Sequence, residues 1–100
     1  MDTNHYSELI DLSQKIVDDA NDRITNYVSA KYCGIGSESA QDQMEDYLFI
    51  VNEVSAYLLG NAYALLMPEF QEEAIRTFND NVKRIIRIQM KKAGGDTPVQ

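Results

Sequence analysis

The 100-residue sequence has a single cysteine (Cys33), a single histidine (His5) and no tryptophan. One cysteine excludes an internal disulfide framework. One histidine excludes, within one chain, a His-based catalytic triad and a multi-His metal site. Two prolines and five glycines exclude collagen-like and low-complexity chains. Bases are scarce too: nine Lys plus Arg stand against sixteen Asp plus Glu, a net charge of −7. Such a surface repels phosphates, so it cannot bind nucleic acid over its whole extent. Long apolar runs are also missing. Residues 47–68 come nearest, but Asn52, Glu53, Ser55 and Asn61 interrupt them, and no Lys or Arg flanks them closely. A helix buried between neighbours fits this pattern better than a membrane span. The opening MDTNHYSELID lacks the basic-then-apolar order of a secretory signal. Together with the unpaired Cys33, it points to a reducing, cytoplasmic setting.

What is present is globular composition, 44% hydrophobic and 25% charged. The length predicts one domain, here a three-helix domain over residues 1–93 with a loose tail over 94–100. A chain of this size has a thin core and little room for a deep cleft. Two breaks punctuate it, Cys33-Gly34-Ile35-Gly36-Ser37 and Met67-Pro68.

The first segment, from about Asn4 to Tyr32, places Tyr6, Leu9, Ile10, Ile16, Val17, Ile24 and Val28 on one helical face. Glu8, Asp11, Asp18 and Asp22 fall on the outer stripe. Thr3 or Asn4 is the expected N-cap. Asp11–Lys15 and Asp19–Arg23 have favourable i,i+4 spacing. Gly34 is placed to end the helix in a left-handed conformation, with Ile35 supplying an apolar contact after it.

The second segment begins near Ser37 or Ser39, where Ser39 and Asp42 have capping-box spacing. Met44, Val51, Leu58 and Leu65 repeat every seven residues, and further apolar residues cover most of the circumference. Two neighbouring helices cover a central helix from only two directions. Phe49, Ile50, Tyr57, Leu59 and Tyr63 are therefore the expected oligomer interface. Gly60 is the weak point, marking a kink, a close helix crossing or an early end.

The third segment opens at Pro68, which suits the first helical position. Phe70, Ala74, Ile75, Phe78, Val82, Ile85, Ile86 and Ile88 share a face, and Gly94-Gly95 ends the helix. Glu72–Arg76 and Asp80–Arg84 have i,i+4 spacing. Short breaks between long helices predict an all-α, antiparallel up-down-up bundle, completed by oligomerisation.

Catalytic signatures are sparse. His5 is expected at the surface and Cys33 half-buried at a helix end. Glu53, the one acid within the apolar segment, should face solvent or pair with a base of another helix. No Glu is followed by His at di-metal bundle spacing. Gly34-Ile35-Gly36-Ser37 lacks the Lys and remaining glycines of a phosphate-binding loop. No cofactor, metal or small-molecule substrate is expected. Arg76, Lys83, Arg84, Arg87 and Lys91 form a basic stripe on the third helix. With Glu8, Asp11, Asp18 and Asp22 they are the candidate partner-binding residues. The leading expectation is a non-enzymatic protein-binding module: an inhibitor, adaptor or regulator. Small acidic helical bundles recur among phage-encoded inhibitors, antitoxins, immunity proteins and secretion chaperones, a likeness of size and charge alone. The alternatives are a homo-oligomeric assembly protein, or weak nucleic-acid contact through the third helix.

Overall fold

The structure, a computed structural model, describes residues 3–94. Among these it is all-helical, with no strand: α1 spans Thr3–Lys31, a 3-10 turn Ser37–Ser39, α2 Ala40–Tyr63 and α3 Pro68–Gly94. Thr3 and Asn4 are already helical, so neither is the N-cap expected there. The tail expected over 94–100 also lies outside them, save for Gly94, the last residue of α3. The chain divides into two compact units, Met1–Ala56 and Tyr57–Gln100.

In the first unit the last hydrogen bonds of α1 tighten from four-back to three-back. Tyr32 N–H still reaches the Val28 carbonyl at 3.2 Å, four residues back, whereas Cys33 N–H reaches Ala30 at 3.3 Å, three back. Ile35 N–H then bonds the Tyr32 carbonyl at 3.1 Å, closing a four-residue turn whose third member, Gly34, has φ 83°. That value belongs to glycine at this turn position. Ile35 stays exposed, so the apolar contact expected of it is weak.

The capping box expected between Ser39 and Asp42 does not form. The Ser39 hydroxyl instead donates to the Gly36 carbonyl at 2.7 Å and accepts from the Gln43 side-chain amide at 2.8 Å. The 3-10 turn is the reason, because it folds the hydroxyl back toward the residue three positions earlier. Ser39 and Val28 are the two buried residues among those described. Ala20, Ile24, Ile50 and Val51 are half-buried in the same unit.

In the second unit α2 finishes and turns into α3. The expected heptad stripe overshoots the helix: α2 stops at Tyr63, so Leu65 and Leu66 fall in the connecting turn. Here too the last bonds tighten, from Ala64 N–H to Gly60 at 3.0 Å to Leu66 N–H to Tyr63 at 3.0 Å. The half-buried Gln71 side chain, one turn into α3, donates to the carbonyls of Tyr63 at 3.3 Å and Leu66 at 3.1 Å. It thereby gives the Leu66 carbonyl a donor and adds a second one at the Tyr63 carbonyl, which Leu66 N–H already engages. Tyr63 donates its hydroxyl to the Ala74 carbonyl at 3.4 Å, and Phe78 and Val82 continue the half-buried face of α3. Pro68 is the first helical residue, where its missing N–H costs nothing.

α2 runs unbroken through Gly60, and a methyl group added there would meet nothing within 4 Å. Neither an early end nor a close helix crossing explains this glycine. Gly60→Ala should therefore stabilise the chain by about 0.5–1 kcal/mol, chiefly by restricting the unfolded state. Urea denaturation checks this. A loss of stability would mean that another chain approaches α2 closely at this point.

Candidate functional site

The most extensive surface feature is apolar. Either unit, taken alone, leaves its helical apolar stripes uncovered. On α1, Tyr6, Leu9, Ile10, Ile16 and Val17 are exposed although the sequence pattern places them on the inner face. On α3 the same holds for Phe70, Ile75, Ile85, Ile86 and Ile88, and Met90 is exposed as well. No residue of α2 is fully buried. Of its expected interface residues, Phe49 and Tyr57 are each 68% exposed, whereas Ile50, Leu59 and Tyr63 are half-buried within their own units. The α2–α3 turn adds Leu65, 88% exposed, beside Met67.

The charged stripes are exposed as well. Arg76, Lys83, Arg84, Arg87 and Lys91 on α3 form no ion pair with another described residue, and neither do Glu8, Asp11, Asp18 and Asp22 on α1. Of the expected i,i+4 pairs, Asp19–Arg23 forms, at 3.1 Å. Asp11–Lys15, Glu72–Arg76 and Asp80–Arg84 are not among the ion pairs between described residues.

One polar cluster, in the first unit, was not foreseen from the sequence. Lys31 Nζ and the Tyr32 hydroxyl both donate to Asp46 Oδ2, each at 2.8 Å, and the ammonium lies 5.3 Å from the Tyr32 ring centroid. The Lys31 hydrogen bond, then that of Tyr32, holds the Asp46 carboxyl below its ordinary 3.8. The Asp46 hydrogen bond in turn raises Lys31 above 10.5 and, with burial and the carboxylate charge, raises Tyr32 above 10.0. A lowered carboxyl stabilises the fold above its unfolded value and loses that effect as pH falls through the lowered one. The raised groups contribute below their unfolded values and lose the effect as pH rises. Asp46→Asn should therefore lower the melting temperature at pH 7. That gap should close as the solution is acidified below the ordinary carboxylate range. Thermal melts of both proteins from pH 2 to pH 7 test this, and an undiminished gap at pH 2 would contradict it.

Beside this cluster an open groove of about 470 Å³ runs between α1 and the start of α2. Val28, Ala40 and Met44 give it an apolar lining, and Asn21, Thr25, Ser29, Gln43 and Tyr47 a polar one. The Tyr47 hydroxyl donates to the Asn21 side-chain oxygen across it.

Cys33 is exposed, not half-buried, because the turn that Gly34 closes carries it away from the α1–α2 contact. His5 is exposed near the opposite end of α1, roughly 40 Å away along the helix at 1.5 Å per residue. The two cannot form a thiolate–imidazole pair within one chain. Glu53 is exposed and faces solvent. Among the described residues, no three His, Cys, Asp or Glu side chains cluster as metal ligands. No helix of described residues is long and apolar enough to cross a membrane. No protein-family model, curated protein or solved structure matches the chain.

Proposed function

We propose that the chain is a non-enzymatic protein-binding module, a small acidic inhibitor, adaptor or regulator, that works through its helical surfaces. The observation that carries this reading is the largely uncovered apolar face of each helix, with Val28 the one buried apolar residue among those described. Burying apolar surface contributes about 25 cal/mol per Å². Helices that leave such faces in water therefore gain by docking on another protein. The expected up-down-up bundle belongs to the same reading, with the partner completing the core. The separation of Cys33 from His5 and the open shape of the groove fit binding better than catalysis.

Arg84 and Arg87 lie on the exposed outer face of α3, on the side away from Phe78. Changing both to Glu should weaken partner binding at least ~10-fold, because like-charge contacts across an interface are costly. The melting temperature should stay near that of wild type, since exposed positions contribute little to stability. The test is affinity capture from the source cells, followed by titration of the recovered partner against both proteins. A chain that neither captures a partner nor associates with itself would contradict the reading. Normal binding by the double variant would move the working surface to α1 and α2.

A further inference from the structure

We infer that the partner of α3 is a second copy of this chain, docked antiparallel along the same helix across a two-fold axis. The inference rests on the protein-binding reading and names its occupant. Two properties of α3 carry it, and both lie within one helix.

The first is the charge order along Pro68–Gly94. Its first half holds Glu69, Glu72, Glu73 and Asp80 against Arg76 alone, a net of −3. Its second half holds Lys83, Arg84, Arg87, Lys91 and Lys92 and no acid, a net of +5. All ten side chains are exposed. A helix with opposite signs on its two halves is complementary to its own reverse. Laid antiparallel, each acidic half meets the partner's basic half, and both contacts form at once, as a two-fold interface requires. The helix dipoles also oppose one another in this arrangement. In parallel, like halves would meet and repel.

The second is the apolar stripe beside those charges. Ile75, Ile86 and Met90 follow one edge of the half-buried face formed by Ala74, Phe78 and Val82, and all three are exposed. Within its own unit α3 therefore covers one strip of its apolar face and leaves the adjoining strip open along most of its length. That strip supplies the dry centre of a helix–helix contact, and the charges supply its rim and its direction.

Sedimentation equilibrium of the full chain tests the proposal, using two triple variants confined to exposed residues. One carries Arg84→Glu, Arg87→Glu and Lys91→Glu; the other carries Glu69→Lys, Glu72→Lys and Glu73→Lys. Wild type should dimerise at micromolar concentration. Each variant alone should raise the dimer dissociation constant by more than ~100-fold, since like-charge juxtaposition costs several kcal/mol. An equimolar mixture of the two should restore a one-to-one dimer, because each then supplies the halves the other needs. That rescue also shows that both variants are folded. Added salt should loosen the wild-type dimer by screening. A wild-type monomer, variants that dimerise normally, a mixture that stays monomeric, or a dimer that tightens with salt would each overturn the proposal. If the chain is monomeric yet binds another protein through the surfaces described above, the protein-binding reading stands and only the second copy is refuted.

Discussion

Replacing Gly34 and Gly36 together by alanine should cost the chain about 3 kcal/mol of folding stability. The two residues have φ of 83° and 97°. A left-handed residue with a Cβ costs roughly 1–2 kcal/mol. Gly36 also has ψ −172°, a region open essentially to glycine and worth roughly 1–3 kcal/mol when another residue is forced into it. A methyl group on Gly36 would approach the Glu38 carboxylate to 3.2 Å, although that side chain can swing away. The backbone penalty therefore dominates. For a domain of this size the loss corresponds to more than ~10 °C in melting temperature. The same change at Gly60 has the opposite sign, because there the backbone is helical and the space is open. Guanidinium titrations of the two alanine proteins should thus separate in opposite directions from wild type. A double variant as stable as wild type would show that the α1–α2 turn does not have these dihedral angles.

Val28→Asp should be comparably severe, at about 3 kcal/mol. Val28 is 5% exposed and is the buried apolar contact where α1 meets the start of α2. A carboxylate there loses its hydration without gaining a free cation, since the nearby Lys31 already serves Asp46. Leu12→Asp, on the same helix but exposed, is the control and should change stability by only ~0.5 kcal/mol. Chemical denaturation compares the two. Equal losses would mean that α1 and α2 do not pack through Val28.

These turns and helices were largely legible in the sequence because their causes are local. Gly34 and Pro68 punctuate the chain through backbone sterics, and both act where the pattern placed them. The amphipathic stripes of α1 and α3 follow from the 3.6-residue period. What escaped needs knowledge of distance. Asp46 lies 15 residues from Lys31, and nothing in one-dimensional spacing says that the two meet. The Ser39 hydroxyl followed the 3-10 turn to Gly36, whereas the capping-box pattern assumed that α2 starts without one. Periodicity identified apolar faces but not what covers them. Tyr63 and Phe49 belong to one stretch of pattern, yet Tyr63 packs at the α2–α3 corner while Phe49 stays in water. The charge order of α3 was visible as a basic stripe. Its self-complementarity emerged once the helix was seen to run continuously from Pro68 to Gly94 with both sets of charges exposed.

The dependence of the wild-type melting temperature on protein concentration measures most directly whether this chain completes its fold with a second copy. Association that favours the folded state raises the melting temperature by mass action. For a dimer of two 100-residue chains, the average unfolding enthalpy per residue gives a rise of about 3 °C per tenfold increase in concentration. Over a hundredfold range in the micromolar region the melting temperature should climb by roughly 6 °C. A melting temperature constant over that range would contradict self-association through α3.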